Sequence, residues 1–238
     1  MRQSNSYIIF YASVLAIVCA GLLVTANTLL KDRQKANVDL EQKMNILSSV
    51  IEVKEEDNID TLYSKFVKEF VVDFEGNIKE GITPKEVIVA SEFKKPVEQR
   101  LLPVYEFRNQ ENKDKVEYVV LPVYGRGLWD VIWGYVALKE DMNTIQGVKL
   151  DHKGETPGLG ARIVEEEVQN RYTKKTIFNE NNEIASVVMM KGEGMDWSEN
   201  PHRVDGLSGA TLTAQGVNNM MKEYLSAYEN YIKKIKKK

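Results

Sequence analysis

The segment VEYVVLPVYG at residues 116–125 is rich in β-branched and aromatic side chains, a composition typical of a β-strand. A similar segment, LLPVYEFRN (101–109), precedes it, and the polar sequence NQENKDK (109–115) between the two predicts a hairpin. Further strands are predicted for LWDVIWGYVALK (128–139) and IQGVKLDHKG (145–154). Neighbouring strands with flanking helices indicate an α+β fold with an antiparallel or mixed sheet, in contrast to alternating βαβ units.

Helical patterns lie on both sides of the predicted sheet. Apolar residues recur at intervals near three to four over residues 31–53 and again over 59–70. The sequence VVDFEGNI (71–78) then predicts a strand and a turn, and TIFNENNEIASVVMMK (176–191) predicts another hairpin. The chain closes with a predicted helix whose apolar stripe runs from Val217 to Ile235.

The first part of the chain has the composition of a membrane anchor. Residues 7–30, YIIFYASVLAIVCAGLLVTANTLL, contain no charged side chain and would form a helix of about 36 Å, enough to cross a hydrocarbon core of about 30 Å. A signal peptide has a shorter apolar stretch, and a lipoprotein needs a small residue where Val18 precedes Cys19. We therefore predict an uncleaved single span. The flanking charges, Arg2 on one side and Lys31–Lys35 on the other, do not decide its orientation.

Composition and charge exclude several classes of protein. With 43% hydrophobic and 28% charged residues the chain is globular, not disordered or collagen-like. The formal net charge is −3 although the last six residues, KKIKKK, are strongly basic, so the rest is acidic and a poor match for nucleic acid. A single cysteine and two distant histidines, His152 and His202, give little support for a metal site.

A glycine-rich polar stretch, DGLSGATLT (205–213), lies directly before the last predicted helix. It places hydroxyls and backbone N–H groups at a helix N-terminus, where the positive end of the helix dipole favours a phosphate. An ordinary N-cap needs only one such hydroxyl, and the run of small and hydroxylic residues after Asp205 exceeds that need. The sequence contains no Ser–His–Asp or Cys–His set and no phosphate loop of the form GxxxxGK[ST].

Three motifs carry a resemblance to a known family. DGLSGAT (205–211) resembles the recognition motif for covalent flavinylation, Asp-x-x-Ser/Thr-Gly-Ala-Thr, while GETPGLG (154–160) and LPVYGRGLW (121–129) resemble two further blocks of the same FMN-binding domain. With the N-terminal span, they make the chain similar to the family of C subunits (NqrC) of the Na+-translocating NADH:quinone reductase. The G subunit of the Rnf-type ferredoxin:NAD+ oxidoreductase shares these features and is the alternative. A membrane-anchored extracytoplasmic binding or sensor domain without redox activity is a second alternative.

The resemblance implies an electron-relay subunit that carries FMN and is not active as an isolated chain. It implies a complex that couples NADH oxidation and quinone reduction to Na+ export, with the other subunits, membrane lipid and a flavin transferase as partners. The soluble domain would lie on the periplasmic or outer side of the cell inner (cytoplasmic) membrane. We predict an anchor over residues 1–30, a helical membrane-proximal region over 31–75, one FMN-binding domain over 76–232 and a lysine-rich tail over 233–238.

The resemblance also assigns roles to the residues of the flavinylation motif DGLSGAT (205–211), called the acceptor motif below. Thr211 would hold FMN as a phosphoester formed by the transferase, and Thr213 is the rival acceptor. A hydroxyl is a weak nucleophile without a base, and because Asp205 is the sole candidate base nearby, we expect the transferase to activate Thr211. Ser208 is expected to bind phosphate oxygens. Gly209 and Ala210 are small residues that leave the hydroxyl accessible.

The GETPGLG loop is expected to form a wall of the isoalloxazine site. Glu155 and Thr156 would hydrogen-bond the ring or the ribityl chain, and Leu159 beside Gly160 would offer an apolar face. Trp129 is a candidate for stacking on the ring, as are Trp133 and Tyr124, although core packing is the simpler interpretation of each. Arg126 is a further candidate for contact with phosphate or ring carbonyl, and a surface arginine is the alternative.

Overall fold

The computed structural model describes residues 4–54, 56–108 and 115–236. The chain divides into two compact units, Met1–Gln42 and Lys43–Lys238. The first helix, α1, spans Asn5–Ser48, and its most apolar 18 residues have a mean hydropathy of 2.5 with none of them buried. By length and composition it is able to cross a membrane, in agreement with the predicted single-span anchor.

A five-stranded antiparallel sheet forms the centre of the second unit. Its strands follow one another in chain order, each paired with the next: β1 (Val67–Val72), β2 (Leu102–Arg108), β3 (Val116–Arg126), β4 (Val131–Lys139) and β5 (Ile145–His152). The predicted pairing of residues 101–109 with 116–125 is confirmed, with Tyr105 opposite Val120. The connection at 109–114 lies outside the described residues. The α+β prediction is therefore confirmed.

Short elements complete the second unit. Before β2 lie α2 (Ile59–Phe66), α3 (Val89–Glu92) and two 3-10 turns, Pro84–Glu86 and Val97–Gln99. After β5 come a 3-10 turn at Gly160–Val164, α4 (Glu166–Asn170), the parallel pair β6 (Val188–Met189) and β7 (Arg203–Val204), and two closing helices, α5 (Thr211–Ala227) and α6 (Glu229–Lys236).

The two faces of the sheet pack against different helices. Successive side chains of a strand point to opposite faces, and in β3 Val119 and Leu121 belong to one apolar cluster and Val120 to the other. The first cluster includes Val217, Met220, Met221, Tyr224 and Leu225 of α5. The second includes Ile46 and Leu47 of α1 and Ile59 and Tyr63 of α2. Helix α5 thus lies on one face, where its N-terminus comes close to the end of β3.

Glycine allows α5 to approach β3 closely. A Cβ atom on Gly125 would lie 2.7 Å from the Cβ of Met220, and one on Gly216 would overlap the carbonyl oxygen of Arg126. Both positions therefore need a residue without a side chain. This contact fixes the first turns of α5 against the β3–β4 connection.

Two predicted elements differ from the structure near the chain's first strand and last helix. The helix predicted over 59–70 ends at Phe66, because VKEFVV at Val67–Val72 pairs along its full length with β2. The region predicted as helical over 31–75 therefore contains the first strand of the sheet. The single closing helix is broken at Tyr228, whose buried hydroxyl donates a hydrogen bond of 2.7 Å to the carbonyl of Pro103 in β2.

The predicted hairpin over 176–191 is present in reduced form. Its two arms meet at the single antiparallel bridge between Phe178 and Ile184, and β6 then pairs in parallel with β7. The lysine tail begins inside α6, where Lys233 forms an ion pair of 2.6 Å with Glu229. Residues 237–238 of that tail lie outside the described residues.

Candidate functional site

The acceptor motif leads directly into α5. Gly209 has a φ of 73°, a left-handed conformation that favours glycine, and the turn places Thr211 as the first residue of the helix. Ser208, Gly209 and Thr211 are exposed, whereas Ala210 is buried. Thr211 therefore lies at the surface, directly after the buried Ala210.

The two glycine motifs, GETPGLG (154–160) and DGLSGATLT (205–213), meet at one cavity of about 200 Å³. The cavity is lined by residues that follow β3, by the GETPGLG loop and by the start of α5: Leu128, Glu155, Thr156, Leu159, Gly160, Gly209, Ala210, Thr211, Leu212 and Thr213. Eight of these ten residues were predicted as site residues from the sequence. The structure thus brings together segments that lie far apart in the chain.

A buried hydrogen bond joins the two motifs at this cavity. The hydroxyl of Thr213 donates to Oε2 of Glu155 at 2.5 Å, and both residues are nearly inaccessible, with 1% and 4% exposure. The other carboxylate oxygen accepts the backbone N–H groups of Trp129 at 2.9 Å and Asp130 at 3.4 Å. A Cβ atom on Gly160 would overlap the Thr213 hydroxyl, so this glycine is needed for the contact.

These donors determine the charge state of Glu155. Burial by itself would raise the pKa of the carboxyl group, because it disfavours the charged form. The Thr213 hydroxyl and the amides of Trp129, Asp130 and Leu128 outweigh burial and hold the pKa of Glu155 below its usual value. Glu155 is therefore an anion at neutral pH, and both of its carboxylate oxygens accept hydrogen bonds from the protein.

The aromatic candidates occupy different environments. Trp129 is 69% exposed, so core packing is the wrong interpretation for this residue. Its indole Nε1–H donates a hydrogen bond of 3.0 Å to the hydroxyl of Thr156 at the mouth of the cavity. Trp133 and Tyr124 are half-buried within the sheet. The described residues that line the cavity include neither of them, nor Arg126, which is exposed at the end of β3.

Asp205 fastens the acceptor loop to a neighbouring loop. Its carboxylate accepts the backbone N–H groups of Gly194 at 2.7 Å and Met195 at 3.0 Å. Asp205 therefore links the motif to the loop at residues 194–195, and both of its carboxylate oxygens already accept hydrogen bonds from that loop. It is not among the described residues that line the cavity.

Sequence reasoning missed three participants. Leu128 and Leu212 line the cavity with 46% and 56% exposure. They belong to LPVYGRGLW and DGLSGATLT, and an apolar side chain within such a motif was the signal that could have identified them. Glu193 accepts the N–H of Ser208 at 3.1 Å. No sequence signal marks Glu193, because its place beside the motif depends on how the chain folds back.

The arrangement suits one end of a phosphorylated aromatic ligand. Ala210, the N-cap residue, has no side-chain atom that could accept a hydrogen bond, so the first turn of α5 has no side-chain cap from its N-cap position. Such a helix start favours phosphate oxygens. Three leucines supply an apolar lining. At about 200 Å³ the cavity is smaller than the roughly 300–1,000 Å³ that commonly encloses a cofactor, so it would hold part of FMN.

Comparison with known proteins places this site in a family. The profile of the FMN-binding domain matches residues 127–226, a range that contains every residue of the cavity lining. The C subunit of the Na(+)-translocating NADH-quinone reductase from Haemophilus ducreyi is 31% identical over 250 residues, covering 99% of this chain and 96% of that protein. The chain belongs to this family of C subunits. The corresponding protein of Vibrio anguillarum is 32% identical, covering 91% of this chain and 90% of that protein.

Solved structures of the C-subunit family share the fold. The crystal structure of the family member from Parabacteroides distasonis has a TM-score of 0.72 at 31% identity, covering 85% of this chain and 96% of that chain. Shewanella oneidensis NqrC has a TM-score of 0.70 at 24% identity, covering 83% and 97%, a likeness in fold. The C-subunit relatives that are 31–32% identical to this chain support the predicted FMN-carrying subunit of a quinone reductase over the Rnf-type and sensor alternatives.

Proposed function

We propose that this chain is the FMN-carrying electron-relay subunit of a Na+-translocating NADH:quinone reductase and that FMN is joined to Thr211 as a phosphoester. Membership of the C-subunit family and the matched FMN-binding domain support the first part. One observation carries the second part. Thr211 is exposed at the first turn of α5 and lines the cavity that the two glycine motifs form.

Hydrogen bonding and exposure favour Thr211 over Thr213 as the acceptor. Thr213 is buried and its hydroxyl is committed to the Glu155 carboxylate at 2.5 Å. Transfer to Thr213 would require breaking this bond and opening the contact at Gly160. Thr211 needs no such rearrangement, which supports it as the acceptor.

The modification is a group transfer that needs a second protein. The oxygen of Thr211 forms a bond to the FMN phosphorus of FAD, the pyrophosphate bond breaks, and AMP leaves while the hydroxyl proton passes to a base. The carboxylates of the two motifs, Glu155 and Asp205, are both held by donors of this chain. We therefore assign the base to a flavin transferase, which acts on an accessible acceptor.

The small cavity fits the role of an electron relay. FMN supplies the redox chemistry, and the protein contributes the tether, the local electrostatics and the position. Leu128, Leu159 and Leu212 offer apolar contact to part of a flat ring, while the rest would stay accessible to neighbouring subunits of the complex. A covalent link keeps the cofactor in place despite this exposure.

The proposed location follows from the anchor and the family. Residues 7–30 would lie in membrane lipid of the cell inner membrane, with the second unit on the periplasmic or outer side, where the transferase would act. The proposed segments remain an anchor over 1–30, a membrane-proximal region over 31–75, the FMN-binding domain over 76–232 and the tail over 233–238, with the membrane-proximal region supplying β1 to the sheet of the domain.

The experiment compares full-length wild type with Thr211→Ala and Thr211→Ser, each co-expressed with an active flavin transferase. We expect a mass gain of FMN minus water in the wild type, none in Thr211→Ala, and at least partial recovery in Thr211→Ser, which keeps a hydroxyl. Circular dichroism and tryptophan fluorescence should show the same fold in all three. An equal mass gain in Thr211→Ala would overturn the assignment, and an unmodified wild type would favour the sensor alternative.

A further inference from the structure

An ion-pair cluster of Glu193, Arg162 and Arg171 lies outside the cavity and hydrogen-bonds the acceptor loop, residues 205–211. The loop that carries Glu193 lies beside the acceptor loop, and each loop supplies a carboxylate that accepts hydrogen bonds from backbone N–H groups of the other. Asp205 accepts amides from Gly194 and Met195, while the Glu193 carboxylate accepts the amide of Ser208 at 3.1 Å. The backbone three residues before Thr211 is thus fixed by a carboxylate from another segment.

Two arginines hold Glu193 in this position. Arg162 binds both oxygens of the Glu193 carboxylate, at 2.9 Å each, in the bidentate geometry that makes such pairs strong. Arg171 donates to Glu193 at 3.2 Å. The side chains are partly buried, with 23% exposure for Arg162, 24% for Glu193 and 13% for Arg171, so solvent screens the cluster less than a fully exposed pair.

The same arginines connect the cluster to both glycine motifs. Arg171 also donates to the carbonyl oxygens of Asp205 at 3.3 Å and Gly206 at 2.6 Å, at the start of the acceptor motif. Arg162 belongs to the 3-10 turn that begins at Gly160, the last residue of the GETPGLG motif. The cluster therefore ties the acceptor loop to the opposite wall of the cavity.

We propose that Glu193, held by Arg162 and Arg171, is a positioning residue that presents Thr211 for flavin transfer. The inference rests on the proposed function, since it concerns the acceptor of that reaction. Glu193 acts through the Ser208 amide and is not among the described residues that line the cavity. Its removal frees the loop to leave the transfer-competent conformation, and the apparent rate falls with the competent fraction.

The test measures kcat/KM for flavin transfer to the purified full-length chain in detergent, with a flavin transferase and FAD. Glu193→Ala should lower kcat/KM about tenfold, because a hydrogen bond to a charged group is lost. Glu193→Gln, which keeps an acceptor for Ser208, should recover part of the rate. The matched control is Glu167→Ala, which removes another carboxylate from Arg171 without touching the acceptor loop, and it should stay within twofold of wild type.

A second readout separates positioning from general stability. Hydrogen exchange in the peptide that contains Ser208 should accelerate in Glu193→Ala and not in Glu167→Ala, under conditions in which circular dichroism shows both variants fully folded. Transfer to Glu193→Ala at the wild-type rate, or equal slowing in Glu167→Ala, overturns the inference and leaves modification of Thr211 intact. A wild-type chain that is never modified overturns the proposed function and the inference with it.

Discussion

Replacing Thr213 by valine separates the structural threonine of the motif from the proposed acceptor. The substitution keeps the branched shape and removes the hydroxyl that donates to Glu155 at 2.5 Å. Both residues are β-branched, so helix propensity changes little. The carboxylate, 4% exposed, keeps its backbone donors but loses its side-chain donor.

The magnitude follows from that lost bond. A hydrogen bond to a charged group contributes about 1.5–3 kcal/mol, and because Glu155 retains backbone amides we expect the free energy of unfolding to fall by about 2 kcal/mol. With a urea m-value of about 2 kcal/mol/M, the midpoint should decrease by about 1 M. In a double-mutant cycle with Glu155→Gln, the two substitutions should be non-additive, since they share one interaction.

The assay is urea unfolding of the unmodified full-length chain in detergent, followed by the fluorescence of its three tryptophans. Thr211→Val is the matched control, because it is the same substitution at an exposed position two residues earlier. Thr211→Val should keep its midpoint and lose covalent flavin when the transferase is present, whereas Thr213→Val should lose stability and keep the flavin. Wild-type stability in Thr213→Val, or loss of flavin from that variant alone, would refute the reasoning.

Two further predictions concern packing and acid stability. Gly216→Ala should destabilise the fold by about 1–3 kcal/mol in urea unfolding, although alanine favours helices, because the added Cβ would overlap the Arg126 carbonyl oxygen. Gly154→Ala is the control, because a Cβ added there would lie 3.5 Å from its nearest neighbour, the Cβ of Asp130, and it should change stability by less than about 0.5 kcal/mol. The Arg162 guanidinium and the Ser208 amide lower the pKa of Glu193 to about 2, so its stabilising contribution is complete above its unfolded pKa of about 4.3 and is lost as the pH falls towards 2. Glu193→Gln should therefore flatten the dependence of unfolding free energy on pH in that range, and an unchanged slope would contradict this assignment.

The sheet was predictable because its signals are local. The runs at 116–125 and 128–139 combine β-branched and aromatic residues, the run at 145–154 contains Ile145 and Val148, and each of the three overlaps a strand of the sheet. The acceptor loop was predictable for the same reason, since small and hydroxylic residues directly precede the apolar stripe of α5. The cavity residues from both glycine motifs could be named once the motifs were recognised.

Other features depend on contacts between distant segments. The change from helix to strand at Val67 is determined by pairing with β2, and the last helix is interrupted at Tyr228, whose side chain hydrogen-bonds a residue 125 positions earlier. The roles of Glu155 and Thr213 were assigned to ligand contact and rival acceptance, whereas the fold joins them to each other. Glu193 offers no local pattern, because it lies fifteen positions before the amide that it binds.

The most direct measurement for the central claim is fragmentation mass spectrometry of the peptide containing residues 205–213 from the wild-type chain, after co-expression with an active flavin transferase. Thr211 and Thr213 lie in one short segment, so the fragment ions must locate the added mass on a single residue. We predict a gain of FMN minus water on Thr211, with Ser208 and Thr213 unmodified. A gain on Thr213 or Ser208, or no gain while a control substrate is modified, would contradict the account.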